Sequence, residues 1–142
     1  MILKQARELG MIPKINFMGS DEMAEQEMVN LAGAKACEGT YSLATYGSVP
    51  AEFTKRVKDK FNAPMHYAIL FGYDGVMALT KAIEIAQSLE GPKIRDGLLK
   101  VDFKGLQGPI KFETFDGFKN QGRYSPYIIR WVNGNRQVVE VK

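Results

Sequence analysis

Helical and strand patterns alternate along the first half of the chain, and this alternation limits the fold more than any other feature of the sequence. Residues 2–9 show the three- and four-residue spacing of an amphipathic helix, which Gly10 is well placed to end. Short strand patterns follow at residues 15–18 and 40–46, and a helical pattern comes after each of them. Because parallel strands are joined by helical crossovers, this order predicts an α/β fold with a parallel sheet.

The longest helical pattern covers residues 66–88 and holds more apolar residues than one face can carry. Its main stripe and the positions that widen it are Ile69, Leu70, Tyr73, Val76, Met77, Leu79, Ile83 and Ala86. A surface this wide predicts packing on more than one side. A shorter helix is predicted to begin at Pro50, with a buried stripe made of Phe53, Val57 and Phe61.

The last part of the chain is extended and punctuated by glycine, and it ends in a hairpin pattern. Strand patterns at residues 127–132 and 137–141 lie on either side of Asn133 and Gly134. Asn-Gly between β-rich segments is among the strongest hairpin signals, because both turn residues need a positive φ. The sequence therefore predicts a C-terminal β-hairpin.

Composition and the rarest residue types exclude several classes of protein. The chain has 142 residues, of which 45% are hydrophobic and 25% charged, which fits a globular domain and not a disordered chain. The net charge of +3 is too small to indicate nucleic-acid binding. Cys37 and His66 are the only residues of their types, which excludes thiolate zinc clusters and histidine-rich metal sites. The sequence also lacks the glycine motifs that bind phosphate, so no cofactor or metal is predicted.

Three groups of residues invite a chemical interpretation, and each also has a plainer structural one. Cys37 could be a nucleophile partnered by His66, but free cysteines mostly behave as small buried apolar residues. The basic residues of the predicted helix at 50–61 could bind phosphate, but charged exposed helix faces are ordinary. Ser20 and Asp21 stand where a strand ends and a helix begins, where α/β sheets place their ligands, although either residue could simply cap that helix.

Three parts of the sequence, taken in order, resemble a known family. They are INFMGSD at residues 15–21 with AGAKACEGT at 32–40, YAILFGYDGV at 67–76, and FKGLQGPIKF at 103–112. Together they resemble the C-terminal part of the type I periplasmic solute-binding proteins, and above all the leucine/isoleucine/valine-binding proteins of ABC importers. The resemblance covers nearly the whole chain but less than half of a full family member.

The resemblance implies a two-lobed α/β protein that closes on a small solute, with a chain that crosses between the lobes three times. Residues 1–46 would belong to the C-terminal lobe, residues 47–125 to the N-terminal lobe, and residues 126–142 to the C-terminal lobe again. The crossings in this chain would be hinges near positions 46–48 and 124–126. The hinge residues would be Tyr46, Gly47 and Ser125.

The resemblance also implies which residues bind the ligand. Asp21 falls where the family places an acidic residue against the ligand's α-ammonium group, and Ser20 lies beside it. An ammonium group that leaves water for a closing cleft needs a charge partner. The sequence has aspartate where the closest relatives have glutamate, so the carboxylate is one methylene shorter. Tyr67 lies at or next to an aromatic position of the family's pocket; Ala68 competes for that position, and a plain core role also fits Tyr67.

The resemblance predicts a binding protein and not an enzyme: a fragment of the solute-binding component of an ABC importer, for a branched-chain or other amino-acid-like solute. An ABC permease would be its partner. The full-length protein would be periplasmic or otherwise extracytoplasmic, lipid-anchored or free, and the chain itself shows no signal peptide. The alternatives are a ligand-sensing regulatory module of the same fold and a free-standing flavodoxin-like domain.

We also expect the isolated chain to self-associate. Two surfaces would be left without partners: the edges of the strands at residues 40–46 and 127–132, and the wide apolar surface of the helix at 66–88. Exposed strand edges and large apolar patches favour pairing with another copy.

Overall fold

The structure is a computed structural model that describes residues 2–122 and 125–139. Its helices are α1 (Ile2–Glu8), α2 (Gln26–Ala32), α3 (Ala34–Cys37), α4 (Ala51–Phe61), α5 (Tyr67–Ala86) and α6 (Gly91–Leu98), with a 3₁₀ helix at Asp21–Ala24. Its strands are β1 (Met18–Gly19), β2 (Tyr41–Ala44), β3 (Asp102–Lys104), β4 (Pro109–Phe115), β5 (Phe118–Gly122), β6 (Tyr127–Val132) and β7 (Asn135–Val139). This alternation of helices and strands agrees with the predicted α/β class. No helix within the described residues is long and apolar enough to cross a membrane.

The chain divides into two compact units. The first unit comprises residues 1–65 and 126–142, and the second unit is His66–Ser125. One division therefore falls within the predicted crossing at 124–126, of which Tyr124 lies outside the described residues. The other division falls after Met65 and not near positions 46–48. The lobe to which each unit belongs in a complete protein stays a prediction.

A four-stranded sheet in the order β1-β2-β6-β7 organises the first unit. β1 pairs with β2 in parallel, as the sequence predicts for this part of the chain, whereas β6 runs antiparallel to both β2 and β7. β2 and β6 therefore each have a strand on both sides. The prediction that these two strands expose unpaired edges is wrong for β6, which pairs with β2 on one side and β7 on the other; beside β2, the short strand β1 pairs only with Tyr41 and Ser42.

The hairpin of β6 and β7 confirms the prediction made from Asn133 and Gly134. Both residues have a positive φ, of 51° and 73°, and Val132 pairs with Asn135 across the turn. These are the torsion angles of the tight turns that match the twist of two antiparallel strands. The local sequence alone therefore specifies the turn of this hairpin.

The helix predicted after β1 is broken into two pieces. The 3₁₀ helix ends at Ala24, Glu25 has the extended torsion angles φ −89° and ψ 147°, and α2 begins at the next residue. The side chain of Glu25 is 4% exposed. Because of this break, the Glu25 carboxylate lies in the interior of the first unit. In a regular amphipathic helix it would face the solvent.

The core of the first unit lies on one side of the sheet around Trp131 of β6. The indole is 1% exposed and belongs to a cluster with Leu3, Ala6, Ile12 and Cys37. Residues from both ends of the unit thus form one core, which ties α1 and α3 to the terminal hairpin. On α4, Phe53 and Val57 are buried as predicted, but Phe61 is 66% exposed, because it lies in the last turn of the helix.

The second unit combines α5 and α6 with the strands β3, β4 and β5. α5 packs along α6 and buries a stripe made of Leu70, Asp74, Ala78 and Ala82. This stripe is not the one predicted from the sequence: Tyr73, Val76 and Leu79 are exposed by 40%, 64% and 48%. The small residues at positions 78 and 82 allow α6 to approach closely, so the covered face is the one with the smaller side chains.

Candidate functional site

The turn after β1 carries two of the predicted ligand-binding residues. Ser20 occupies the N-cap position of the 3₁₀ helix but makes no capping hydrogen bond; its hydroxyl donates to the Glu22 carboxylate over 3.2 Å. Asp21 is half-buried, and its carboxylate has no hydrogen-bond or ion-pair partner among the described residues. The structure therefore brings Ser20 and Asp21 together at the carboxyl end of a strand, where neither side chain is used as a helix cap.

Contacts from two sides hold this turn in place. The indole Nε1–H of Trp131 donates to the carbonyl oxygen of Met23 over 2.7 Å, which fixes the 3₁₀ helix to the sheet. A Cβ at Gly19 would lie 1.9 Å from the sulfur of Met23, so a larger residue at position 19 would require the Met23 side chain to move. The position of Asp21 thus depends on a core residue far along the chain.

A buried polar network lies behind the turn. Tyr46 is 6% exposed, and its hydroxyl donates to the Glu25 carboxylate over 3.1 Å. Arg136 of β7 places its guanidinium 3.9 Å from the centre of the Tyr46 ring and donates to the carbonyl oxygens of Tyr46 and Gly47. The predicted hinge residues Tyr46 and Gly47 are therefore held to β7 by these contacts, and their role as a hinge stays a prediction.

Burial controls the ionisation of this network. It raises the pKa of Tyr46 to about 12; the Arg136 cation opposes this shift and Glu25 adds to it. Burial also lowers the pKa of Arg136 from its ordinary value, against the effects of Tyr46 and Glu25. The phenol is thus protonated at neutral pH and acts as a donor. These groups hold the structure together and are not arranged for proton transfer.

A cavity of about 470 Å³ opens beside this network within the first unit. Its lining includes Tyr46, Gly47, Ser48, Met65, Trp131 and Arg136. Ser20 and Asp21 are not part of that lining. The volume is in the range of small-molecule pockets, but the Tyr46 hydroxyl and both terminal nitrogens of Arg136 are already bonded to protein atoms, which leaves only the buried Nε of Arg136 without a hydrogen-bond partner among these groups. We therefore keep the turn after β1 as the candidate site.

Tyr67, the third predicted ligand-binding residue, lies in the second unit. It is the first residue of α5, and the imidazole Nδ1 of His66 caps that helix by accepting from the Ala68 amide over 3.2 Å. The Tyr67 ring is half-buried and meets the Phe71 ring edge-on, with centroids 6.0 Å apart. A role in binding thus stays a prediction. Ser125, the remaining predicted hinge residue, is exposed and lies at the end of the second unit.

Cys37 and His66 do not form a catalytic pair. Cys37 is fully buried in the core of the first unit, and its thiol lies 3.8 Å from the Met28 carbonyl oxygen. Burial raises the pKa of this thiol, which makes it a poorer nucleophile. His66 is the N-cap of α5 in the second unit. Among the described residues, no group of three histidine, cysteine or acidic side chains could hold a metal ion.

Asp74 is a structural residue to which the sequence analysis assigned no role. It is 3% exposed, and its two carboxylate oxygens accept from the backbone amides of Leu106 and Gln107 over 2.9 and 3.0 Å. A Cβ at Gly105 would lie 2.7 Å from one of these oxygens, so the loop before β4 needs glycine at this position. The sequence does contain a signal for this contact, namely a single carboxylate on an otherwise apolar helix face. Glu25 is a similar signal in the helical pattern that follows β1.

Replacing Asp74 with asparagine is expected to lower the free energy of unfolding of the second unit by about 1.5–3 kcal/mol. The asparagine side chain has only one acceptor oxygen. Its NH₂ group would therefore face the backbone N–H of Leu106 or Gln107, and no hydrogen bond can form between two donors. Hydrogen exchange at these two amides should become faster, and denaturant unfolding followed by circular dichroism measures the stability. Asp96→Asn is the control: Asp96 is exposed on α6, and its change should stay within about 0.5 kcal/mol. Equal losses in the two variants would contradict the role of Asp74.

Comparison with known proteins places the fold in a family context. The sequence model of the family described as periplasmic binding protein matches residues 1–135, and the chain therefore belongs to the periplasmic binding protein family. Its fold is part of the type I fold of that family, a receptor family that binds solutes, as the resemblance predicts. The leucine-binding protein of Thermotoga maritima is 26% identical, with a TM-score of 0.77 over 98% of this chain and 40% of its own.

Two further structures share the fold at lower identity. One is the substrate-binding protein of a branched-chain amino-acid transporter from Streptococcus pneumoniae, in complex with isoleucine; it is 24% identical, with a TM-score of 0.76 over 97% of this chain and 40% of its own. The other is a substrate-binding protein of an ABC transporter from Desulfitobacterium hafniense, in complex with leucine, at 18% identity and a TM-score of 0.70 over 97% and 39%. The chain thus spans about 40% of the length of these relatives.

Proposed function

We propose that this chain is part of the solute-binding component of an ABC importer and that its solute is a branched-chain or similar amino acid. The observation that carries the proposal is the carboxylate of Asp21. It is half-buried, without a partner among the described residues, and at the carboxyl end of β1. A carboxylate in that position suits the α-ammonium group of an amino acid, because a cation that leaves water needs a charge partner.

The complexes of relatives with isoleucine and leucine support an amino-acid solute. Binding would proceed by closure of two lobes on the solute, and Ser20, Asp21 and Tyr67 are the residues that we propose to contact it. The closed form would be recognised by an ABC permease outside the cytoplasm. A ligand-sensing module of the same fold would use the same residues, whereas the family match leaves a free-standing flavodoxin-like domain without support.

The isolated chain is expected to bind no amino acid with micromolar affinity. Asp21 offers a partner to the ammonium end of the solute, whereas the resemblance implies that the residues for its carboxylate lie in the part of a family member that this chain does not span. Affinity depends on enclosing the solute and satisfying both charged ends. Calorimetric titration of the 142-residue chain with leucine, isoleucine and valine measures this directly.

The same titration of a polypeptide that supplies both lobes tests the function itself. One of the three amino acids should bind with micromolar affinity or better, and a neutral sugar serves as the control. Micromolar binding to the isolated chain would contradict the two-lobed mechanism. A two-lobed protein that binds the sugar and no amino acid would contradict the proposed solute.

A further inference from the structure

The 3₁₀ helix that begins with Asp21 depends on contacts from outside it. The Met23 amide donates to the carbonyl oxygen of Ser20 over 3.1 Å. The Glu25 amide donates in the same way to Glu22 over 3.3 Å. A helix of four residues has little stability of its own, because few hydrogen bonds compensate for the torsion angles that it fixes. The position of Asp21 is therefore determined by the side chains that hold this helix.

Glu25, which directly follows the 3₁₀ helix, is held by Tyr46. The Glu25 side chain is 4% exposed, and its carboxylate accepts from the Tyr46 hydroxyl over 3.1 Å. Burial raises the pKa of Tyr46 to about 12, so the phenol keeps its proton and is a donor at neutral pH. Tyr46 follows β2, the strand that pairs with β1 just before the turn. Its hydroxyl therefore joins the end of the 3₁₀ helix to the segment that follows β2.

Arg136 of β7 holds the Tyr46 side chain in place. The guanidinium lies 3.9 Å from the centre of the ring, and it donates to the carbonyl oxygen of Gly47 over 2.6 Å and to that of Tyr46. A planar guanidinium can stack on a ring and bind two acceptors at once, which a lysine ammonium group cannot do. The same side chain thus fixes both the ring and the backbone of Tyr46. Arg136, Tyr46, Glu25 and Asp21 all belong to the first unit.

Tyr46 gives the turn a second anchor beside Trp131. The indole of Trp131 donates to the carbonyl oxygen of Met23. A one-turn helix that is held at a single point can pivot about that point, whereas bonds at both Met23 and Glu25 also fix its direction. An aspartate side chain has only one methylene group, so the backbone decides where the Asp21 carboxylate lies.

We propose that Tyr46 is a positioning residue for solute binding, which acts through Glu25 to set the place where the Asp21 carboxylate meets the ammonium group. This inference rests on the proposed role of Asp21. The strength of a charge-assisted hydrogen bond depends on distance and direction, so a displaced carboxylate binds the ammonium group less tightly. Loss of one buried hydrogen bond corresponds to a loss of affinity of about three- to tenfold.

Hydrogen exchange in the chain without solute tests the anchor by itself. In Tyr46→Phe the amides of Met23 and Glu25 should exchange about threefold faster or more, because the helix is no longer held at Glu25. Tyr41→Phe is the matched control: it removes the same hydroxyl from β2, where the Tyr41 ring faces the Arg130 guanidinium. The two amides should exchange in this control as in the unchanged protein. Equal rates in all three proteins would overturn the proposal, whatever the solute is.

Calorimetric titration of a two-lobed protein with leucine, isoleucine and valine measures the effect on binding. Tyr46→Phe should weaken the affinity about three- to tenfold, and Tyr41→Phe should leave it unchanged. Glu25→Gln keeps an acceptor for the Tyr46 hydroxyl and should lose less affinity than Glu25→Leu, which has none. An equal loss in the two tyrosine variants, or in the two Glu25 variants, would contradict positioning through Glu25.

A double-mutant cycle separates the positioning of Asp21 from a general effect on the protein. If Tyr46 acts through the Asp21 carboxylate, Tyr46→Phe should change the dissociation constant by less than about twofold in a protein that already carries Asp21→Asn. Titration followed by nuclear magnetic resonance reaches the millimolar dissociation constants of these variants. An equal factor in both backgrounds would show that Tyr46 does not act through Asp21.

The results for Asp21 and Tyr46 separate this inference from the proposed function. A loss of affinity in Asp21→Asn together with unchanged affinity in Tyr46→Phe would overturn the positioning role alone. Unchanged affinity in Asp21→Asn would overturn the proposed role of Asp21, and the positioning role with it.

Discussion

Replacing Trp131 with alanine is expected to lower the free energy of unfolding of the first unit by about 3–5 kcal/mol. The indole is 1% exposed at the centre of the core, so its removal leaves a large cavity between α1, α3 and β6. The carbonyl oxygen of Met23 would also lose the hydrogen bond from Nε1. Denaturant unfolding followed by far-ultraviolet circular dichroism measures the loss, since the variant contains no tryptophan.

The variant Trp131→Phe removes the hydrogen bond while keeping part of the packing. It retains a six-membered ring and loses the Nε1–H donor together with the rest of the five-membered ring, so a smaller loss of about 1–2 kcal/mol is expected. Because that bond holds the 3₁₀ helix that begins with Asp21, the phenylalanine variant should also weaken solute binding in a two-lobed protein. If Trp131→Ala and Trp131→Phe unfolded at the same denaturant concentration as the unchanged protein, the assignment of Trp131 as the central core residue would be wrong.

Replacing Asp21 with asparagine is expected to weaken amino-acid binding by a two-lobed protein by about 2–5 kcal/mol. The substitution leaves the ammonium group of the solute without its anionic partner inside a closed cleft. Stability should hardly change, because the carboxylate of Asp21 has no partner among the described residues and does not cap the 3₁₀ helix. Calorimetric titration measures the affinity, and thermal unfolding without solute measures the stability.

The neighbouring carboxylate provides the matched control for Asp21. Glu22 is exposed and accepts from the Ser20 hydroxyl, so Glu22→Gln removes the same charge one residue away and should leave affinity nearly unchanged. Asp21→Glu should keep tight binding, since it preserves the anionic partner of the ammonium group. Unchanged affinity of Asp21→Asn, or an equal loss in Glu22→Gln, would show that Asp21 does not contact the solute.

The parts of the fold that the sequence predicts well are those with local causes. The terminal hairpin follows from two adjacent turn residues, Asn133 and Gly134, whose torsion angles need no distant contact. The α/β alternation follows from apolar periodicity within each element. The candidate turn at Ser20 and Asp21 was likewise visible, because a strand that ends in glycine before a hydroxyl and a carboxylate occupies one short stretch of chain.

The parts that the sequence does not reveal depend on distant partners. The helix break at Glu25 follows from its hydrogen bond with Tyr46, 21 residues away, and the anchoring of Tyr46 depends on Arg136, 90 residues away. The apolar periodicity within a window of 20 residues cannot reveal either contact, because each joins residues that lie farther apart in the sequence. The covered face of α5 was misjudged for the same reason: its apolar residues extend around the helix, and only the position of α6 decides which of them are buried.

The terminal hairpin is part of the first unit, and this also determines the order in which the two units can fold. Trp131 reaches Met23 across 108 residues of sequence, and β6 completes the sheet beside β2 only after residues 127–132 have been synthesised. The second unit is one continuous segment, His66–Ser125, and can fold during synthesis. Residues 2–65 precede the hairpin in the chain and stay without β6 and β7 until these strands have been made. Chaperones that hold nascent chains would therefore need to protect residues 2–65 until the hairpin has formed.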